Sequence, residues 1–331
     1  MKKILILASN SFTGSHLAHH CLLNGYEVIG VSRSAQYSKV MLPYLYSNDL
    51  EENFIFHQLD LNRDMQKILD VCDQHEPELI ANFAAQGEVR NSWLYPEQWY
   101  ETNTMSVVRL TEELRKRDYL NKYLTASTPE VYGSTSEDLV ENNKYSPSTP
   151  YAASKLAGDM HLHTLFKRYG FPVVFTRSAN VYGIHQQLYR IIPRTIIFLK
   201  LGKIIELHGK GKAKRSFIHI KDVADASLKA LEIGENGHTY HISPEGNEIS
   251  IYSIVEMISK MMGYNFESSV QLVDQNYGQD DMYSISSSKI RSELDWSPKI
   301  TLEKGIEEMI FWIEQNWEEI REMPLEYVHK K

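Results

Sequence analysis

"ILILASNSFTGSHLA", residues 4–18, decides how the rest of the chain is read. Ile4 to Leu7 make an apolar run suited to a parallel strand buried on both faces, and Gly14 onward suits a helix entry. Strand, tight turn and helix in this order open a doubly wound α/β fold whose first turn holds the phosphates of a dinucleotide. The turn is short of glycine. Glycines at its first, fourth and seventh places would fall on Ala8, Ser11 and Gly14, and only the last is present. Ala8 is therefore expected at negative φ, since only glycine takes the left-handed conformation freely. Ser11 is small, and its hydroxyl can donate to a phosphate. Gly14 keeps helix and strand close, and the amides near Phe12 and Thr13 offer an anion site.

The alternation continues outward. Strands are expected over 26–32, 53–61, 78–85, 122–127 and 172–179, with helices near 63–75, 97–117 and 150–169. Apolar strands alternating with helices predict a parallel Rossmann sheet covered on both faces. After residue 180 the pattern loosens. Loops and short segments are expected over 181–216, a strand running into a helix over 216–232, and amphipathic helices over 249–263 and 301–317. Met309, Phe311 and Trp312 in the last of these read as core. Residues 1–180 are assigned to the dinucleotide-binding domain, with 217–243 returning to it. Residues 181–331 form most of a smaller α/β substrate-binding part, and ligands are expected between the two.

A chain of 331 residues can bury a sizeable core. Its formal net charge of −8 argues against nucleic acid or a membrane surface as partner, because both require a basic face. The run "RKR" at 115–117 reads as a solvated helix end. Cys21 and Cys72 fall in helices without metal-ligand spacing, so neither a disulfide framework nor a metal site is expected. The first apolar run is too short for a signal peptide, and none reaches the roughly 18–20 residues of a membrane span. A cytoplasmic protein is expected.

The chemistry concentrates in Tyr151-Ala-Ala-Ser-Lys155. Four apart on a helix, the two side chains share a face. A phenol, with a reference pKa of about 10, is a poor base near neutrality, and a neighbouring ammonium favours its ionised form. Such a pair can take a proton from a substrate hydroxyl while hydride leaves the same carbon. Upstream, after the strand at 122–127, stands Ser127-Thr128-Pro129-Glu130-Val131-Tyr132-Gly133, which brings hydroxyls and a carboxylate to a strand's carboxyl end.

These residues resemble the extended short-chain dehydrogenase/reductase family, and within it the nucleotide-sugar 4,6-dehydratases. The resemblance runs over about residues 1–317, through "AAQGEVRNSW" (84–93), "ETNTMSV" (101–107), "RSANVYG" (177–183), "RIIPRTI" (190–196), "KRSFIHIKDVADA" (214–226) and "SSSKIRSELDWSPKITLEKGI" (286–306). It implies a hydro-lyase that oxidises C4 of a nucleotide-linked hexose, eliminates water across C5 and C6 and returns hydride to C6. Thr128 would bond the 4-hydroxyl, Tyr151 would take its proton, Lys155 would hold the nicotinamide ribose, and Glu130 would be the C5 base. One departure matters. The dTDP-glucose enzymes carry an acid, Asp, before that Glu, and here Pro129 has no proton to give. The GDP-mannose enzymes also lack the Asp, so Glu130 is expected to act as base and then as acid.

The second strand ends in Gly-Val-Ser-Arg-Ser (30–34) without a carboxylate, and Arg33 among hydroxyls suits a 2′-phosphate. NADP is therefore favoured over NAD. Asp60 and Leu61 resemble the pair that touches adenine, and Ala84 belongs to the same cofactor site. The resemblance implies diphosphate contacts from Asn180, Arg190, Arg194 and Arg215, with His185, Gln186 and Gln187 near the sugar. The family's later Arg-Pro-Gly-x-Asp is here 276–280, "NYGQD", without the Arg. Two alternatives stay open: a 4-epimerase or related oxidise-and-return enzyme, which needs no C5 base, and a non-catalytic nucleotide sensor. A homodimer packed through 97–117 and 150–169, with Met105, Val108 and Leu156 at the interface, is the expected assembly.

Overall fold

Along the first strand, β1 (Lys3–Leu7), successive side chains enter different cores: Ile4 and Ile6 join one apolar cluster, Leu5 and Leu7 another. A strand buried on both faces must be covered by a helical layer on each side. The structure, a computed structural model, describes residues 1–46, 52–134, 138–246, 248–274 and 284–330. In it β1 is followed by β2 (Glu27–Ser32), β3 (Phe54–Gln58), β4 (Leu79–Asn82), β5 (Lys122–Ala126), β6 (Val173–Ser178), β7 (Asn180–Tyr182), β8 (Ile205–His208), β9 (Lys214–His219), β10 (Thr239–Ile242), β11 (Glu248–Ser250) and β12 (Val270–Val273). The main sheet is parallel, in the order β10-β6-β5-β4-β1-β2-β3. This is the doubly wound Rossmann sheet the alternation predicts. Its strand order reverses direction between β1 and β4, and the crevice at their carboxyl ends is where such sheets bind ligands. The edge strand β3 is the least buried, half-buried from Phe54 to His57 and exposed at Gln58.

One helical layer contains Phe12–Leu23 and Ile220–Ile233; the other contains Met65–His75, Ser106–Leu114 and Pro150–Tyr169. Each fully buried Leu or Ile contributes about 1.5–3 kcal/mol, so the two clusters are the main stabilising term. A third cluster joins the helices Ile191–Lys200, Ile251–Met261 and Leu302–Gln315 over β8 and β9. The region 181–216 thus contains a ten-residue helix and parts of three strands where loops and short segments were expected. The Arg-Ile-Ile-Pro start hides this helix, because Pro is tolerated in a first turn that needs no amide partner. Met309 and Trp312 are buried as expected, but Phe311 is 64% exposed, one helical step outside the apolar stripe.

The expected helix over 97–117 is not uniform. Glu101–Met105 winds as a π turn between Pro96–Tyr100 and Ser106–Leu114. Arg117, in the run read as a solvated end, bridges Asp73 at 3.0 Å and Glu113 at 3.2 Å. Among the described residues no helix is long and apolar enough to cross a membrane, and no group of histidine, cysteine and acidic side chains could hold a metal. Cys21 and Cys72 are buried free thiols.

Candidate active site

The glycine-poor turn resolves differently from expectation. Ala8 sits at φ +61°, in the left-handed region. Its carbonyl accepts the Ser11 amide at 2.8 Å, and a Cβ on Gly14 would lie 2.3 Å from that oxygen. Turn closure and helix packing both act on the Ala8 carbonyl, and together they override the local preference of alanine, at a cost on the order of 1 kcal/mol. The Ser11 hydroxyl caps the helix Phe12–Leu23 by accepting the Gly14 amide at 3.1 Å. Its proton stays available to an acceptor outside the turn.

Ala8, Ser11 and Phe12 line a cavity of about 650 Å³ at the carboxyl ends of β1, β2, β3 and β4. Arg33, Asp60, Leu61 and Ala84 line the same cavity. Four of the turns a dinucleotide would cross therefore meet in one space. Thr13 and Gly14, next in the helix, are not among its lining residues. The loop bearing Arg33 is tied to the first turn by Asn10, a residue that sequence reasoning passed over. Its amide donates to the carbonyls of Ser34 and Ala35 at 3.0 Å, its backbone N–H to Ser32 Oγ at 2.9 Å, and its side-chain oxygen accepts the Tyr44 hydroxyl at 2.7 Å. The Asp60 carboxylate turns back on the amide of Asn62 at 2.8 Å. These groups fit a dinucleotide: a small-residue turn at a helix N-terminus, a cation at the end of β2 and apolar walls at β3 and β4.

Thr128, Glu130, Tyr151 and Lys155 lie outside the lining of that cavity, around the end of β5. Thr128 is buried, and its hydroxyl caps the short 3-10 turn Pro129–Tyr132 by accepting the Glu130 amide at 3.3 Å. Pro129, with no amide hydrogen to lose, suits the first place of that turn. The helix Pro150–Tyr169 packs against the turn. It starts sharply: Thr149 accepts the Ala152 amide at 3.1 Å and Pro150 opens the first turn, which puts Tyr151 at the helix mouth and Lys155 one turn deeper. Lys155 is buried, and burial pushes its ammonium below its ordinary pKa, with the Asp159 carboxylate acting the other way.

Asn103, in the π turn, connects the two groups of residues. Its side chain accepts the Gln86 amide at 2.9 Å and donates to the Gln86 carbonyl and to Ser154 Oγ, both at 3.0 Å. Gln86 lines the cavity, and Ser154 precedes Lys155. A Cβ on Gly158 would come within 2.5 Å of the Asn103 carbonyl, so only glycine lets the helix approach this closely. Deeper still, Asp159 accepts the Ser127 hydroxyl at 2.5 Å and faces Arg177 at 3.1 Å, and Arg177 donates to the Tyr132 hydroxyl at 2.5 Å. Conserved spacing offers no signal for this network in a single sequence; only the contacts reveal it.

The residues expected at the diphosphate divide into two places. Arg190 lines the cavity, and Arg194, one turn on, reaches Glu326 at 3.4 Å. Asn180 and Arg215 lie on neighbouring strands. Arg215 was expected just before a strand but belongs to β9, where it is buried and donates to the Lys214 carbonyl at 2.8 Å. Asn180 pairs in register with Phe217, so Asn180 and Arg215 share one face of the β7–β9 sheet. His185 and Gln187 line the cavity, while Gln186 donates its amide to the Val181 carbonyl at 2.8 Å. Residues 276–280 lie outside the described residues.

Known proteins resemble this chain over nearly its whole length. It is 30% identical over 322 residues to a trifunctional UDP-glucose 4,6-dehydratase/UDP-4-keto-6-deoxy-D-glucose 3,5-epimerase/UDP-4-keto-L-rhamnose-reductase of Arabidopsis thaliana; 95% of this chain covers 47% of that protein, so the chain spans about half its length. It is 30% identical to the dTDP-glucose 4,6-dehydratase of Escherichia coli, over 96% of this chain and 94% of that one. The crystal structure of dTDP-glucose 4,6-dehydratase from Bacillus anthracis in complex with NAD superposes with a TM-score of 0.86, at 29% identity, over 96% of this chain and 98% of that one. The family model described as GDP-mannose 4,6 dehydratase matches residues 5–309. The chain therefore belongs to the GDP-mannose 4,6-dehydratase family.

Proposed function

We propose that the protein is a nucleotide-sugar 4,6-dehydratase that converts a nucleotide-diphosphate hexose into its 4-keto-6-deoxy form. The observation that carries this reading is the turn Pro129–Tyr132: Thr128 caps it, Glu130 stands on it, and the helix bearing Tyr151 and Lys155 packs against it. When bound, the dinucleotide would supply the acceptor for hydride from C4 and its donor to C6. The rest is the work of side chains. Tyr151 accepts the 4-hydroxyl proton, with Thr128 orienting that hydroxyl. The Lys155 ammonium, one turn away, favours the phenolate. Once C4 is a ketone the C5 hydrogen is acidic, and Glu130 removes it. Pro129 cannot protonate the departing 6-hydroxyl, so Glu130, now carrying a proton, delivers it. An epimerase has no need of this carboxylate.

The cavity would hold the dinucleotide through Ser11, Phe12, Thr13, Gly14, Asp60, Leu61 and Ala84. Arg33 favours NADP over NAD, although the Bacillus anthracis relative holds NAD. Asn180, Arg190, Arg194 and Arg215 would hold the diphosphate. A cytoplasmic homodimer is the proposed state, with the exposed Met105 and the half-buried Val108 and Leu156 toward the partner.

The test offers GDP-, UDP-, CDP- and dTDP-hexoses and follows 4-keto product by its absorbance in alkali. One of them should give product, and Glu130→Gln should lower its rate by about 10²- to 10⁴-fold. A 4-hydroxyl epimer without keto product would mean an epimerase, and no turnover with any of them a sensor.

A further inference from the structure

Past the helix Trp317–Ile320, Pro324 disfavours further helix at Met323, and the chain runs on extended. Its side chains alternate: Met323, Leu325, Tyr327 and His329 are half-buried, while Pro324, Glu326, Val328 and Lys330 are exposed. Met323 and Leu325 pack on the third apolar cluster. All four exposed residues line the cavity of about 650 Å³. Val328, 62% exposed, thus offers an apolar surface to that space.

Residues on three sides of the cavity hold this segment. On the side of the helix Ile191–Lys200, the Tyr327 ring meets Tyr189 edge-on at 5.4 Å, and Glu326 reaches Arg194 at 3.4 Å. Beyond β4, the His329 ring lies nearly parallel to Tyr95 at 5.2 Å and to Trp99 at 5.5 Å, and its Nε2 stands 2.8 Å from Gln98 Oε1. The Lys330 carbonyl accepts the Gln86 amide at 2.9 Å. Beyond β2, the Lys330 ammonium donates to Ser34 Oγ at 3.3 Å and to the Tyr37 hydroxyl at 3.1 Å. Tyr189, Gln86, Ser34 and Tyr37 themselves line the cavity, so the segment spans it from wall to wall. The anchors differ in strength. Glu326 and Arg194 are an exposed pair and contribute little. The His329 ring combines two aromatic contacts, one of them with the buried Trp99, and a side-chain bond, and is the main latch.

We propose that residues 323–330 form a strap that closes over the bound dinucleotide and must lift before the dinucleotide leaves. This rests on the reading of the cavity as the dinucleotide site. The proposed reaction gives the strap a purpose: hydride taken from C4 must return to the same sugar, so a carrier lost between the two transfers would strand a ketone. Release occurs only from the lifted state, so while the closed state dominates, weakening the latch speeds release by the same factor. The test compares the parent, His329→Ala and a chain ended after Leu325. Each is freed of nucleotide, loaded with NADH or NADPH and chased with excess oxidised dinucleotide while the fluorescence of the bound form is followed. His329→Ala should release about 10-fold faster, and the shortened chain about 10- to 100-fold faster. Hydrogen exchange gives a second readout: in His329→Ala the amides of 326–330 should exchange faster than in the parent, and those of β1 at the parent rate. Parent-like release from both variants, with the parent binding a dinucleotide, would overturn the strap and leave the reading of the cavity standing. Binding of neither dinucleotide by the parent would overturn that reading, and the strap with it. Tighter binding by the shortened chain would show that the strap fills the site, and faster exchange throughout β1 would show a general loosening; either result overturns the proposal.

Discussion

Asp159 Oδ2 stands 3.1 Å from Arg177 Nη2, and neither side chain reaches solvent. This single ion pair grips both shoulders of the turn that carries Glu130: Asp159 holds the Ser127 hydroxyl before it, and Arg177 holds the Tyr132 hydroxyl after it. Tyr132 in turn lies 2.9 Å from His241 Nε2, and among the described residues the Arg177 Nε has no hydrogen-bond partner. Removing one partner of a buried pair strands the other charge, which costs about 3–5 kcal/mol. Asp159→Ala should therefore lower the unfolding free energy in urea by that amount. The double change Asp159→Leu with Arg177→Met should recover much of it, and equal losses for the single and the double would contradict the pairing.

The left-handed Ala8 makes a second prediction. Ala8→Gly relieves strain on the order of 1 kcal/mol but adds backbone freedom to the unfolded chain. A gain of about 0.5 kcal/mol should appear as a higher urea midpoint. Gly14→Ala should act oppositely and more strongly, because its Cβ would meet the Ala8 carbonyl at 2.3 Å. A stabilised Gly14→Ala variant would show the turn to be built differently.

Acid should weaken the fold before its carboxylates titrate. Burial pushes His185 and His219 down to about 4 and His241 to about 3, from 6.5. The unfolded chain takes up these protons below about pH 6.5 and the folded chain does not, so stability is full above that value and falls as the pH drops from 6.5 toward 4. Each site contributes on the order of 1 kcal/mol per pH unit in that window. Urea midpoints should be level between about pH 7 and 8 and fall steadily from about pH 6.5 to 5, and His219→Gln should fall less steeply.

Gly158→Ala tests the contact between the π turn and the helix that bears Tyr151 and Lys155. Its new methyl must displace the Asn103 carbonyl, at about 1–3 kcal/mol of overpacking. Because Asn103 also holds Gln86 and Ser154, dehydratase activity should fall well beyond the loss of folded protein. Activity that merely follows the folded fraction, read by circular dichroism, would mean that Asn103 only packs.

The strands were legible along the chain because most hold a short run of apolar and β-branched residues between turn residues, and a run such as Ile4–Leu7 has no other stable place. The Tyr151/Lys155 helix was legible from Thr149-Pro150 at its start and from Gly170, which ends it at φ +69° while its amide returns to the Phe166 carbonyl. The helix Ile191–Lys200 was missed because its run Ile196–Leu199 is apolar on every side, with no polar stripe to mark a helical period, and Pro193 stands in its first turn. Ala8 was misjudged because a local propensity was weighed without the Gly14 contact that overrides it. Asn10, Asn103 and Lys330 were illegible for another reason. Their partners lie 22, 51 and 296 residues away along the chain, a separation no periodicity encodes.

The π turn at Glu101–Met105 has a geometric corollary. It takes up one residue more than an α turn, so everything after it on that helix is rotated by about 100° relative to an uninterrupted spiral. Val107, Leu110 and Leu114 face the core only because of that offset. Shortening this stretch by a single residue would re-phase the helix and present a polar flank to the sheet, so the register of its second half is set by an irregularity, and alignments of relatives should tolerate substitutions here far better than gaps.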